Sequence, residues 1–424
     1  MNQIMDHLRS FPEISGWKLN IRSKESYQLF FVKGALETVR CTDTCDKEVT
    51  VYVAHENYLG DASFPVYPST TKPQLHDLIR EAVEKAKLIC NQPYELPAQE
   101  QGEFQVESNF SEFDVSDLAA KISGTVFDAA RMENGSLNSL EIFVNRHHET
   151  VINSRGLRKS QTRYTAMVEA IPTYNGEKQS VELYEQYNFS SLDPDALATE
   201  IAGKMQEVKA RYEAITPDFP MNCKVILGSE ELSMLFMNIA GDLNYSSVYS
   251  HSNLFSKGDA IQTDPVGDKI GITMEGHIPG SVRSAMFDGD GLTLSPIRLV
   301  DGGKAVNYYG SNRYGQYLGE KPTGSLWCFR VDPGTAEEKE LRGEDYLEII
   351  SMSGLQVDFY SDYIGGEIRL AYYHNGEKII PVTGISISGK LKDVLNQIRF
   401  SKAVILRDGY FGPEKGVVPN MAIF

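Results

Sequence analysis

No apolar run in the chain approaches the roughly 20 residues that a membrane-spanning helix requires, so the sequence carries no candidate helical span and a membrane is not expected as a partner. The first residues, MNQIMDHLRSFPEISG, lack the basic start and continuous apolar core of a secretory signal. Cysteine is scarce: Cys41, Cys45, Cys90, Cys223 and Cys328 are scattered and odd in number, the pattern of reduced thiols in a cytoplasmic protein. Cys41 and Cys45 are spaced CxxxC, but no second pair or adjacent histidine completes a metal site. Positive charge is in deficit, 41 Lys and Arg against 58 Asp and Glu, for a net charge of -17. Such a surface repels phosphate backbones, which argues against nucleic acid as a partner.

What is present is ample apolar material, 41 % of 424 residues, in a chain longer than one ordinary core supports. The pattern is α+β, two domains of largely antiparallel sheet with packed helices. A boundary falls where Asn188-Phe189-Ser190-Ser191-Leu192-Asp193-Pro194 leaves the strand pattern, giving an N-terminal α+β domain over 1–190 and a β-rich domain over 191–424. The first domain opens with an amphipathic segment from Ile4 to Phe11. Alternating strands follow near Trp17–Ile21, Tyr27–Phe31, Leu36–Cys41 and Val49–Val53, joined too closely for crossover helices and hence an antiparallel meander. Leu75, Leu78, Ile79, Ala82, Val83, Ala86, Ile89 and Cys90 form a helical stripe behind Pro73, and a second helix starts at Asp114 or Ser116. The segment Asn91 to Asn109, rich in Pro, Gln and Glu, reads as a surface excursion. Strands return over 140–144 and 149–153 about a turn near Arg146 and His147, then over 158–171 and 180–188 about Asn175-Gly176. The adjacent His147 and His148 have no further ligand at short spacing and read as turn or surface histidines.

In the second domain Asp193 caps a helix whose Leu197, Ile201, Met205, Val208 and Tyr212 share one face, expected to cover the sheet containing 223–227. The most informative stretch is 225–242, VILGSEELSMLFMNIAGD: a buried strand, a glycine break, Ser229 as N-cap with Glu230 and Glu231 in an acidic first turn, then an apolar face of Leu232, Leu235, Phe236, Ile239 and Ala240. It holds neither histidine nor cysteine. Further on, Asp288, Asp290 and Asp301 sit among glycines, as tight turns require, without the closing glutamate of a calcium loop. The stretch 307–319, NYYGSNRYGQYLG, offers four tyrosines and Arg313 to an extended ligand or to ordinary packing.

These stretches resemble the TldD/PmbA family, long labelled modulators of DNA gyrase and associated with zinc metallopeptidase activity and proteolysis. In the family's active branch the helix is similar to L-L-H-E-x-x-G-H, with two histidine ligands and a glutamate base. The matching residues here are Leu235, Phe236, Met237, Asn238, Ile239, Ala240, Gly241 and Asp242, so both ligands and the base are replaced. A third ligand, a cysteine in a C-G-K-x-x-Q-like turn, corresponds to Tyr410–Gly416, which has none. The pattern F-D-x-E/D-G, a strand and a glycine hairpin is matched from Phe287 to Gly303. The resemblance to the PmbA/TldE branch implies no catalytic residues and no bound cofactor or metal, the degenerate positions being Met237, Asn238 and Asp242. It implies a subunit that shapes a cleft for extended or unfolded peptide, with His251, Tyr309, Arg313 and Tyr314 as candidate contacts, in a homodimer or a heterodimer with a TldD-type metallopeptidase. Two alternatives stand beside it: a metallopeptidase with an unrecognised zinc site, for which His277 and the pair His147-His148 are the candidates, and a purely structural homodimer.

Overall fold

The computed structural model describes residues 2–424. The N-terminal half is built on an eight-stranded sheet comprising β1 (Gly16–Val32), β2 (Ala35–His55), β3 (Tyr58–Val66), β4 (Gln101–Gln105), β5 (Gly135–Asn153), β6 (Arg158–Asn175), β7 (Ser180–Glu182) and β8 (Glu185–Phe189). Its spatial order is β3-β2-β1-β5-β6-β4, with β7 and β8 also pairing with β6; every pair is antiparallel except β4 with β6. The meander is therefore present, but in longer strands than the apolar alternation marks. β1 runs for 17 residues and β2 for 21, because ladder hydrogen bonds continue through polar, exposed stretches such as 35–46. The same holds for β5: no turn interrupts it at Arg146 or His147, which lie mid-strand opposite Tyr164 and Arg163.

Such long strands support two cores, one toward each end. α1 (Asn2–Arg9) and α2 (Lys72–Ala86) cover one, in which Leu19, Val49, Val51 and Ile79 are buried. α3 (Val115–Ala129) and α4 (Pro194–Glu213) cover the other, with Leu140, Ile142, Ile122, Ile201 and Met205. Contrary to the sequence expectation, the apolar face of α4 belongs largely to this N-terminal core and does not serve as the cover of the 223–227 strand. Asp193 does cap it, accepting from the amides of Asp195 and Ala196 at 3.1 Å each. α2 has a capping box between Thr71 and Gln74 but ends at Ala86, so Ile89 and Cys90, expected in the stripe, lie beyond the helix and are exposed. β3 approaches that end so closely that a Cβ at Gly60 would lie 1.7 Å from the Ala86 carbonyl oxygen.

The C-terminal half contains two sheets. β9 (Lys224–Leu227) belongs to a nine-stranded sheet, whereas β10 (Ile272–Glu275), β11 (Ile297–Asp301), β12 (Lys304–Ala305) and β13 (Cys328–Val331) belong to a six-stranded one. β14 (Asp345–Met352), β15 (Gln356–Asp358), β16 (Tyr363–Asn375), β17 (Ile379–Val382), β18 (Ile385–Lys390) and β19 (Arg399–Phe400) extend the larger sheet. β20 (Val404–Arg407) and β21 (Tyr410–Pro413) complete the smaller, and β22 (Gly416–Val418) and β23 (Ala422–Ile423) return to the larger. Between these sheets packs α5 (Ser229–Asp242), whose Leu232, Leu235, Phe236 and Ile239 are fully buried in one core with Leu227, Ile272, Phe329, Leu347 and Phe400.

The two halves meet along a seam of hydrogen bonds and ion pairs around a small apolar cluster of Val151, Leu157 and Phe287. Gln92, Glu95 and Asn91, expected in a surface excursion, contact a helix of the C-terminal half, and β4 emerges from the same segment. Lys18 pairs with Asp290 at 2.5 Å, Asn20 donates to the Gly289 carbonyl at 3.2 Å, and the Met286 amide donates to Gln161 at 2.8 Å. No helix among the described residues is long and apolar enough to cross a membrane.

Candidate functional site

The site is built on α5. Its N-cap is Gly228, one residue before the predicted Ser229, and Glu231 reaches back to accept from the Gly228 amide at 3.1 Å. That places a carboxylate at the positive end of the helix but also inside the core. Burial pushes the Glu231 carboxyl up to about 6 despite the backbone hydrogen bonds that favour its charge. The apolar stripe turns inward, and the opposite face, Met237, Asn238, Gly241 and Asp242, turns toward an open dish of about 390 Å³. Ser247 and Ser252 form one side of the dish, and Val357 to Tyr360, in and beyond β15, form the other. Tyr360 is 75 % exposed and donates its hydroxyl to the Ser252 carbonyl at 2.6 Å, bridging the two sides.

The polar groups in the dish are engaged locally. Asn238 donates to the Met234 carbonyl one turn back at 2.8 Å. Asp242 accepts from the amides of Leu254 and Phe255 at 2.7 and 2.9 Å, fixing the chain that follows, and burial raises its carboxyl above the ordinary range. Asp358 accepts from Ser361 Oγ at 2.6 Å and from the amides of Tyr360 and Ser361, which hold its carboxyl below the ordinary range. Among the described residues, no group of three or more His, Cys, Asp and Glu is gathered as a metal site would require.

The candidate peptide contacts lie around, not in, the dish. His251 is exposed with φ 56°, just beyond the short helix α6 (Tyr245–Tyr249). Tyr309 is buried, and its carbonyl accepts from the Tyr245 amide at 2.7 Å. Arg313 and Tyr314 belong to α7 (Asn312–Tyr317), a helix in a stretch whose glycines and tyrosines gave no periodic signal. Arg313 faces the seam: it donates to Asn91 Oδ1 at 2.6 Å and to the Tyr317 hydroxyl at 3.0 Å, with its guanidinium over the Tyr94 ring. The Tyr314 ring is half-buried and packs against Tyr249 at 5.5 Å. None of these four residues lines the dish. Tyr360 and Phe359, which do line it, were missed; the only trace in sequence is a pair of aromatics within the turn-forming Asp358-Phe359-Tyr360-Ser361-Asp362.

The other sequence candidates have structural roles. His147 donates to or accepts from Thr165 at 3.0 Å, and burial, with Arg163 beside it, pushes its imidazole down to about 4. His148 makes the corresponding bond to Thr162 at 3.1 Å. Asp288 accepts from the amides of Asp290, Leu292 and Ser325 at 3.0 Å each, Asp290 is held by Lys18, and Asp301 by Arg298. All five cysteines are free thiols. Tyr410 to Gly416 is not a simple turn, because it contains β21 and the start of β22.

The arrangement defines an α+β protein in which a strand–helix unit, β9 and α5, is enclosed between two C-terminal sheets beside a long-stranded N-terminal sheet. Residues 220–423 match the family described as the PmbA/TldA metallopeptidase C-terminal domain. Through residues 220–423 the chain is thus related to the TldD/PmbA family. Its fold is that of TldE from Thermococcus kodakarensis, with a TM-score of 0.79 at 13% identity over 100% of this chain and 99% of that one. A proposed modulator of DNA gyrase from Bacteroides thetaiotaomicron gives 0.80 at 13% identity, over 100% and 97% of the two chains. One from Thermotoga maritima gives 0.77 at 15%, covering both chains fully at 100%. No curated protein matches the sequence.

Proposed function

We propose that this chain is a non-catalytic PmbA/TldE-like subunit that shapes a peptide-binding cleft beside a TldD-type zinc metallopeptidase, in peptide or protein processing. The observation that carries the reading is the outer face of α5. Where the active branch places two imidazoles and a glutamate, this helix has Met237, Asn238 and Asp242. These residues do not fit zinc. A thioether and an amide are poor ligands for a borderline-soft ion, and the one carboxylate is engaged by two backbone amides. An amide cannot act as general base either. The contribution of the subunit is geometric: exposed strand edges hold an extended peptide through its backbone. His251 and Tyr314 are its proposed side-chain contacts, with Tyr309 and Arg313 supporting the wall from behind. We assign the working units 1–190 and 191–424, with α4 at the start of the second reaching back onto the first, and a cytoplasmic location consistent with free thiols.

The test is co-expression with a TldD-type metallopeptidase, followed by pull-down and zinc analysis. A retained heterodimer with all its zinc in the partner is expected. Recovery of a homodimer alone, or stoichiometric zinc and chelator-sensitive hydrolysis in this chain by itself, would sink the reading.

A further inference from the structure

A net charge of -17 conceals a locally basic cleft. It has a volume of about 330 Å³ and lies where the face of the N-terminal sheet meets residues 282–294 and Trp327 of the C-terminal half. Neighbouring strands bring Arg22 of β1, Glu149 of β5 and Arg163 of β6 into it, Arg22 being directly opposite Glu149. Arg283 enters from the C-terminal side.

The guanidiniums differ in what they touch. Arg163 is paired with Glu149 at 2.9 Å. Among the described residues Arg22 has only Glu48 at 3.8 Å, both side chains about half exposed, an arrangement worth little in water. Arg283 has no ion-pair partner among the described residues, although it is exposed in an acidic protein. The cleft's two carboxylates do not neutralise Arg22 or Arg283. Glu149 is held by Arg163 and by Gln161 at 2.7 Å, and Asp288 by its three amides. Three guanidiniums against two carboxylates leave one positive charge, which suits a monoanion better than a phosphate dianion.

Two further observations converge on the place. Asn20 Oδ1 and Arg163 Nε, both in residues of the cleft wall, are buried polar atoms without a hydrogen-bond partner among the described residues, an arrangement that folded proteins rarely tolerate without a reason. At the rim, Trp327 is 60 % exposed, whereas the chain's other tryptophan, Trp17, is 5 % exposed. Its carbonyl and the Arg283 side chain both crowd Gly409, where a Cβ would lie 2.4 and 3.1 Å from them, so Trp327 and Arg283 are neighbouring residues.

We propose that this cleft is a carboxylate-binding site fitted to the C-terminal end of an extended peptide, with Arg22 and Arg283 holding the carboxylate and Trp327 packing on the adjoining residue. The peptide as the source of the carboxylate rests on the function proposed above; the carboxylate chemistry itself does not.

Trp327 fluorescence tests it, because the buried Trp17 contributes a constant background and Trp327→Phe removes the signal. The probes are a short N-acetylated peptide with a free C-terminal carboxylate, the same peptide as its C-terminal amide, and glutarate. The free-acid peptide is expected to shift Trp327 emission, and amidation, Arg283→Gln and Arg22→Gln each to weaken its binding about tenfold or more. Both arginines are exposed, so circular dichroism should show the variants folded. If only glutarate binds, in an Arg283-dependent way, the carboxylate site stands and its source is a small molecule, while the peptide reading falls. Equal binding of acid and amide overturns the carboxylate site and leaves the peptide reading intact. Absence of any binding overturns the site.

Discussion

The outer face of α5 and the cleft beneath Trp327 are opposite in character. At α5 every polar side chain facing the dish serves its own backbone: Asn238 bonds back to Met234 and Asp242 organises the start of the next segment. In the cleft, Arg22 has one loose, half-exposed carboxylate partner, Arg283 has none among the described residues, and an indole is left in solvent. Groups whose hydrogen bonds are satisfied within the fold contribute stability; unsatisfied ones are available to a ligand. The outer face of α5 is therefore structural, and the unpaired chemistry lies across the seam.

The strongest test of that contrast is Phe236→Ala. Phe236 is fully buried and edge-on to Phe400 at 5.7 Å, so truncation should cost about 3–5 kcal/mol in chemical denaturation. A loss under about 1 kcal/mol would mean that α5 is not the structural post described.

Glu231 gives a pH-dependent version. Its carboxyl rises from 4.5 to about 6 on folding, so below pH 4.5 it is protonated in both states. Between 4.5 and about 6 the unfolded chain releases its proton first, and the folded state loses about 2 kcal/mol as pH rises through that window. Glu231→Gln keeps an acceptor for the Gly228 amide and should remove this loss. An unchanged pH slope in the variant would assign the effect elsewhere.

Asp242→Ala strips the acceptor from two amides at the edge of the dish and should cost about 1 kcal/mol. A neutral or stabilising result would instead mark Asp242 as a side chain kept for a ligand. The smallest effect is expected in the cleft, where Arg22→Gln and Arg283→Gln should leave stability within about 0.5 kcal/mol of the parent while reducing carboxylate binding. Destabilisation well beyond that would make these arginines part of the seam and erase the contrast.

Local pattern carried much of the fold. The stripes of α2, α4 and α5, the Asp193 cap and the Asn175-Gly176 turn were legible because each depends on residues within a few positions of one another. What a stripe faces was not legible: the face of α4 is equally apolar whichever core receives it, and it went to the N-terminal one. The lengths of β1, β2 and β5 were also hidden, because polar residues exposed on a ladder, such as those around His147, look like a turn when only apolar alternation is counted. α7 carried no readable period and became a helix that places Arg313 in the seam.

By itself the sequence determined the α+β class, the strand–helix unit at 225–242 and the residues on its two faces, since periodicity of 3.6 or 2 and the chemistry of Met237, Asn238 and Asp242 are local properties. Only the tertiary structure decided which sheet each helix covers, that Asp242 is bound to the 254–255 amides, and that Arg22, Arg163 and Arg283 converge on one cleft. Those outcomes depend on contacts between residues far apart in the chain, and a net charge summed over 424 residues carries no information about where its minority sign collects.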